Sequence, residues 1–149
     1  PVMAPLDAAA WVRRVAALET RVPIEVVGGP AVTLRADGDQ LEQLLINLAR
    51  NAADAALETR GRVWIDWIVR DGKFELRVHD EGPGLADTAN LFVPFFTTKP
   101  LGTGIGLALS RQIAEAHGGT LALANRGADT ATRRRPGCTA VVSLPVQGG

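Results

Sequence analysis

Apolar positions recur along this chain with two periods, and each change of period marks an element. Between Gln40 and Glu58, Leu41, Leu44, Leu45, Leu48, Ala52 and Ala55 fall at helical spacing and draw one stripe. Asp37 or Asp39 can cap this helix, and Asp39 with Glu42 has the spacing of a capping box. Upstream, Asp7 to Arg21 carries Trp11, Val15 and Leu18 on one face and stops before Pro23, which predicts a shorter helix. Alternation takes over in "RVWIDWIVR" (62–70) and "FELRVHD" (74–80), two strands joined by an Asp71-Gly72 hairpin turn. "IEVVG" (24–28) and "AVTLRA" (31–36) predict another strand pair, turned by Gly28, Gly29 and Pro30. A last helix is predicted from about Thr103 to His117, ended by Gly118 and Gly119. Strands "TLALAN" (120–125) and "CTAVVSLP" (138–145) follow, with "RGADTATRRRPG" (126–137) an exposed loop between them.

The order is helix, two strands, helix, two strands, loop, helix, two strands. It predicts an α/β (α+β) two-layer sandwich: a mixed, mostly antiparallel sheet with helices on one face. At 149 residues the chain has the size of one domain spanning 1–149. With 46% hydrophobic and 21% charged residues it has the balance of a folded globular protein, not a disordered one. Sixteen basic and sixteen acidic residues cancel, so no global field draws nucleic acid or an acidic membrane surface, and any anion site is local. A single cysteine, Cys138, leaves no intrachain disulfide or multi-cysteine zinc site and fits a reducing compartment. No apolar run reaches the ~18–20 residues of a membrane span, and no basic-then-apolar signal opens the chain. A soluble piece is expected, and its abrupt start at Pro1 suits a segment of a longer protein.

Four stretches can carry chemistry. Asn47, Asn51, Asp54 and Glu58 line one face of the long helix beside the apolar stripe. A charged amphipathic helix usually exposes such a face simply to solvent. Asparagine, however, is a modest helix former, and its neutral amide oxygen can bind Mg²⁺ without spending the metal's charge. On 74–80, Phe74, Leu76, Val78 and Asp80 share one parity and face the core, which leaves His79 at the surface. A carboxylate ending an apolar strand face, directly before "EGPG", is costly to bury without hydrogen-bond donors, and a purine's exocyclic amine is one donor. The alternative is an aspartate that merely begins a turn.

Gly102, Gly104 and Gly106 give G-x-G-x-G, which matches neither the dinucleotide fingerprint nor the Walker A loop. Glycines there still let backbone N–H groups approach an anion at a helix N-terminus, with Lys99 as the local cation. Thr139, in "GCT" (137–139), reads by itself as a strand former.

Together and in order, these stretches resemble the ATP-binding catalytic domain of bacterial two-component sensor histidine kinases, within the superfamily shared by gyrase, Hsp90 and MutL. "NLARNAADA" (47–55) resembles its N box, "DEGPGL" (80–85) its G1 box, "LFVPFFTTK" (91–99) its F box, and "GTGIGLALSRQIAEAHGG" (102–119) its G2 box and helix. The resemblance implies a Bergerat-type fold, ATP and Mg²⁺. Asn51 would be the metal ligand, with Asn47 beside it on phosphate or metal and Asp54 on the same face. Asp80 would accept from the adenine amine, with Gly82 and Gly84 letting the base lie close and Thr139 near the adenine. Gly102, Thr103, Gly104, Ile105, Gly106 and Leu107 would shape a lid over the triphosphate. Lys99 would reach a phosphate, and Phe92, Phe95 and Phe96 would anchor the lid, which resembles the short "TTK" lid of nitrogen-sensing-type kinases.

The family's ATPases and anti-sigma serine kinases carry a glutamate base four positions before the metal asparagine, where Asn47 stands. The resemblance therefore implies a protein-histidine kinase domain with Asn47 and Lys99 at the reaction centre. Its γ-phosphate would go to a histidine on a separate dimerisation domain, then to the receiver domain of a response regulator. Neither His79 nor His117 has an acceptor context; His117 would cap and pack, its charged form suited to a helix C-terminus. No nucleic acid, no direct membrane contact, a monomer and a cytoplasmic site are expected, whether the parent is soluble or anchored in the inner membrane. The alternatives are an anti-sigma-type serine/threonine kinase and a non-catalytic regulatory nucleotide-binding module.

Overall fold

The computed structural model describes residues 2–85 and 104–146. The elements run β1 (Met3–Asp7), α1 (Ala8–Leu18), β2 (Ile24–Gly28), β3 (Thr33–Asp37), α2 (Gly38–Thr59), β4 (Val63–Arg70), β5 (Lys73–Asp80), α3 (Gly104–Ala116), β6 (Thr120–Arg126) and β7 (Gly137–Pro145). Five strands form one sheet in the order β2-β4-β5-β7-β6, parallel only between β2 and β4. The three helices pack on one face of this sheet through a shared core, which is the predicted two-layer sandwich.

The long amphipathic stripe forms as its period demands. Leu41, Leu44, Leu45, Leu48, Ala52 and Ala55 are all buried, and all but Ala55 share one core cluster with Ile65, Leu76, Val78 and Val142 of the sheet. Asp37, rather than Asp39, caps α2: its carboxylate accepts from the backbone N–H groups of Asp39 and Gln40. Those bonds, with one from Val2, hold the Asp37 carboxyl below its ordinary range. The tight β4–β5 turn has positive φ at both Asp71 (55°) and Gly72 (71°), the type I′ signature that the Asp-Gly pair predicts. On α1, Trp11 and Val15 enter the core, but Leu18 in the last turn is 58% exposed.

One predicted pairing is wrong. β2 and β3 do not form a hairpin; β2 lies parallel to β4, and β3 pairs antiparallel with β1 in a separate two-stranded sheet. Gly29 and Pro30 carry the chain across Trp67 instead of turning it back. A Cβ on Gly29 would collide with the Trp67 carbonyl, and Trp67 Nε1 donates to Pro30 O at 2.8 Å. His117 also differs from expectation. It does sit at the end of α3, with Nδ1 2.8 Å from Ile113 O, but its Nε2 accepts from the Asp37 N–H at 3.1 Å.

Candidate functional site

Asp80 ends the core-facing side of β5 at 6% exposure, opposite Val63 of β4 and Cys138 of β7. Its Oδ1 accepts from the Gly82 N–H at 2.9 Å, which folds residues 80–85 into a tight turn. Gly82 lies directly on α2: a Cβ there would stand 2.5 Å from the Ala55 Cβ and 2.9 Å from the Ala55 carbonyl. Gly84 takes a positive φ of 83°, and the next residue, Leu85, is gripped by Asn125 of β6. Asn125 accepts from Leu85 N at 2.6 Å and donates to Leu85 O at 3.2 Å. The carboxylate that sequence parity placed at the core edge is thus held over the first half of a rigid turn, against the polar-stripe helix.

Glu81, one residue on, points the other way and is 2% exposed. Its Oε1 accepts from Arg62 N at 2.8 Å and pairs with Arg62 Nε at 3.2 Å, while Oε2 accepts from Arg135 N at 2.7 Å. Burial pushes this carboxyl up, but the Arg135 N–H and the Arg62 side chain and N–H outweigh it, leaving the group below its ordinary 4.5. The loop predicted to be exposed, 126–137, is therefore tied to the site. Arg135 donates to Thr59 O and Arg60 O at the end of α2, and Arg134 lies 3.9 Å from the Trp64 ring centroid.

The polar stripe of α2 divides its duties. Asn47 binds the neighbouring helix: Nδ2 donates to Gly106 O and Ser110 Oγ, each at 3.3 Å, and Oδ1 accepts from Gln43 at 2.9 Å. Asn51, half-buried, stands one turn before Ala55, the residue that Gly82 touches. Asp54 goes elsewhere. Its carboxylate pairs with Arg21 at 2.7 Å, and Arg21 also holds Glu19, half-buried with its side chain largely covered, at 2.9 Å. This pair ties Asp54 to the α1–β2 connection.

Gly104, Ile105, Gly106 and Leu107 open α3, and Leu107 packs against the core. The Gly106 carbonyl is the one Asn47 holds, so the start of this helix is latched to α2. Lys99, Gly102, Thr103 and the aromatic anchors Phe92, Phe95 and Phe96 lie outside the described residues.

On the far side of the sheet the structure places Thr139 and His79 together. Thr139 pairs with His79, not with Asp80, so its side chain faces away from the Asp80 pocket. Its hydroxyl lies 2.8 Å from His79 Nδ1. Cys138 takes the position across from Asp80. His79 itself is buried, not superficial. It stacks on Trp64 at 5.0 Å between centroids and reaches Asp66 at 3.0 Å through Nε2. Parity assumed a wet outer face, but Trp64, Arg126 and Arg134 cover it.

The sequence matches, over residues 36–148, the profile of the histidine kinase-, DNA gyrase B- and HSP90-like ATPases. It is 42% identical over 103 residues to the sensor protein FixL of Bradyrhizobium diazoefficiens, covering 66% of this chain and 20% of that one. It is 41% identical over 107 residues to the sensor protein kinase PilS of Pseudomonas aeruginosa, covering 67% and 20%. The chain thus spans about a fifth of the length of these relatives. Among solved structures, the mycobacterial sensor histidine kinase MprB matches with a TM-score of 0.80 at 27% identity, over 98% of this chain and 99% of that one. The catalytic domain of the histidine kinase ThkA gives 0.82 at 27%, over 98% and 97%. The five-stranded sheet with its helices on one face is their Bergerat-type architecture.

Proposed function

Because this chain belongs to the histidine kinase-, DNA gyrase B- and HSP90-like ATPase family, and is homologous to the catalytic domains of sensor histidine kinases, we propose that it binds Mg·ATP and passes the γ-phosphate to a histidine on a separate dimerisation domain. A response regulator receiver domain would then take the phosphate. The observation that carries the reading is Asp80: a nearly buried carboxylate at the end of a core strand, beside a glycine turn that lies against the asparagine helix. Such a carboxylate accepts from an exocyclic amine and rejects a carbonyl.

Asn51 is the residue suited to hold the metal. Its neutral amide oxygen can bind a hard cation and leave the cation's charge for phosphate oxygens. Mg²⁺ would neutralise phosphate charge there. Asn51→Ala should remove most of the Mg²⁺-dependence of ATP binding and leave the helix intact, since alanine is the better helix former. Titrations with and without Mg²⁺ check this; an enhancement equal to wild type would place the ligand elsewhere.

The remaining groups position rather than react. Asn47 cannot take a proton, and both ends of its amide are engaged: Nδ2 joins α2 to α3, and Oδ1 accepts from Gln43 one turn earlier on α2. No described residue therefore stands as a base for water or serine at that position, which favours transfer to an imidazole over hydrolysis or serine phosphorylation. Lys99 and the glycines 102, 104 and 106 would close over the triphosphate, contributing by charge neutralisation and exclusion of water.

Incubating the chain with γ-labelled ATP tests this. By itself it should neither release phosphate over many turnovers nor label itself. With the dimerisation domain of the same parent added, an acid-labile, base-stable label should appear on that domain, more slowly with Lys99→Ala. Steady hydrolysis, or acid-stable label on serine or threonine, would place the chain in another branch of the family.

A further inference from the structure

Behind the Asp80 strand, on the face away from the helices, one guanidinium gathers the backbone of the pocket. Arg126, the last residue of β6, donates through Nη2 to Asp80 O at 2.9 Å and Arg135 O at 2.8 Å, and through Nη1 to Cys138 O at 3.2 Å. A longer Nη1 contact, 3.4 Å, reaches the Thr139 hydroxyl. The group lies 4.7 Å from the centroid of the Trp64 ring, which supports it from the sheet side.

Asp80 and Cys138 are cross-strand partners whose side chains face the pocket. Beyond them both strands stop: β5 runs into the glycine turn, and β7 begins only at Gly137. A Cβ on Gly137 would collide with the Asp80 carbonyl, so the two strand ends touch there with no side chain between them. Asp80 is the last residue of β5 paired on both sides, to Val63 and to Cys138, and where the β7 side of the ladder ends the Arg126 fork adds donors of its own. Only arginine presents several planar donors at fixed angles, so lysine cannot hold the same set of carbonyls.

We propose that Arg126 is a positioning residue for purine selectivity: by clamping the carbonyls of Asp80, Cys138 and Arg135 from behind, it aims the Asp80 carboxylate at the exocyclic amine of the base. This rests on the reading that Asp80 recognises that amine. Arg126 touches no base itself and acts entirely through Asp80.

The test compares ATP with purine riboside triphosphate, which lacks the 6-amino group, by calorimetric titration of the whole chain. Melting curves on each variant run alongside. Wild type should prefer ATP. Arg126→Lys and Arg126→Gln should each reduce that preference by about three- to tenfold, roughly half to all of one 1.4 kcal/mol step, while affinity for the analogue holds. Asp80→Asn should abolish most of the preference, and adding Arg126→Lys to it should take away no more.

Should Arg126→Gln fail to fold, Arg126→Lys carries the comparison. A lowered melting temperature with an unchanged preference would make Arg126 a structural clamp only and overturn the proposal. Independent, multiplying losses in the double variant would overturn it too. If Asp80→Asn leaves the preference intact, the amine-reading role of Asp80 falls first and the proposal with it.

Discussion

Glu81→Gln should cost the fold about 2–4 kcal/mol, more than any change confined to the surface ion pairs. The glutamate side chain has 0% exposure where it pairs with Arg62, and its two oxygens accept from two different backbone N–H groups, those of Arg62 and Arg135. A glutamine has one carbonyl oxygen. Whichever way its amide turns, an NH₂ meets a backbone donor and that donor is left unsatisfied. For a domain of this size the melting temperature should fall by roughly 5–15 °C.

The effect also has a pH signature. The folded-state pKa of Glu81 lies below its ordinary 4.5. Its stabilisation is therefore complete above about pH 4.5 and is lost as pH falls through the folded value. The gap between wild type and variant in urea unfolding should be full at neutral pH and close on acidification. A gap that persists unchanged into strong acid would mean that the charged carboxylate is not what matters. Glu19, pulled below its ordinary value by Arg21 against the upward push of burial, adds to the same acid-side loss in both proteins.

Asp80→Asn should weaken ATP by about 1.5–3 kcal/mol, roughly ten- to a hundredfold or more, with little change in melting temperature. The asparagine keeps an acceptor for the Gly82 N–H, so the turn survives. What it loses is the charge that meets the exocyclic amine. Gly82→Ala should be as damaging to binding by a different route. Its new Cβ would stand 2.5 Å from the Ala55 Cβ and 2.9 Å from the Ala55 backbone. The turn bearing Asp80 would have to lift from α2, the helix bearing Asn51. Isothermal titration of the two variants separates the routes: only Gly82→Ala should lower stability along with affinity.

What could be read from residues alone followed the length of the periodic signal. The stripe of α2, in a helix of 22 residues, left no ambiguity about the face it buries, and the Asp71-Gly72 turn dictated the β4–β5 hairpin. The β1–β3 pair was not legible. "MAPLD" carries a proline and buries almost nothing, so it has no alternation to detect. The parallel β2–β4 pair joins segments separated by β3 and α2, which local patterning cannot report.

Asp80 and the α2 asparagines stood out as candidates because each breaks a local pattern, while Gly82 entered through the resemblance alone. The facing of Thr139 was not legible because strand parity says which residues share a face but not which face the neighbouring strand presents; the His79–Thr139 register decides that. Glu81 passed as a loop residue because the partners that bury it, Arg62 and Arg135, are 19 and 54 positions away. Asn125 and Arg126 stood unnoticed at the edge of a loop for the same reason: their work is done across two strands.

The account stands most directly on nucleotide choice by the unmodified chain. Calorimetric titration with ATP and with GTP, each with Mg²⁺, should give saturable one-to-one binding of ATP and much weaker binding of GTP, which offers Asp80 a carbonyl where adenine offers an amine. Equal affinities for the two nucleotides, or no heat with ATP at all, would contradict it.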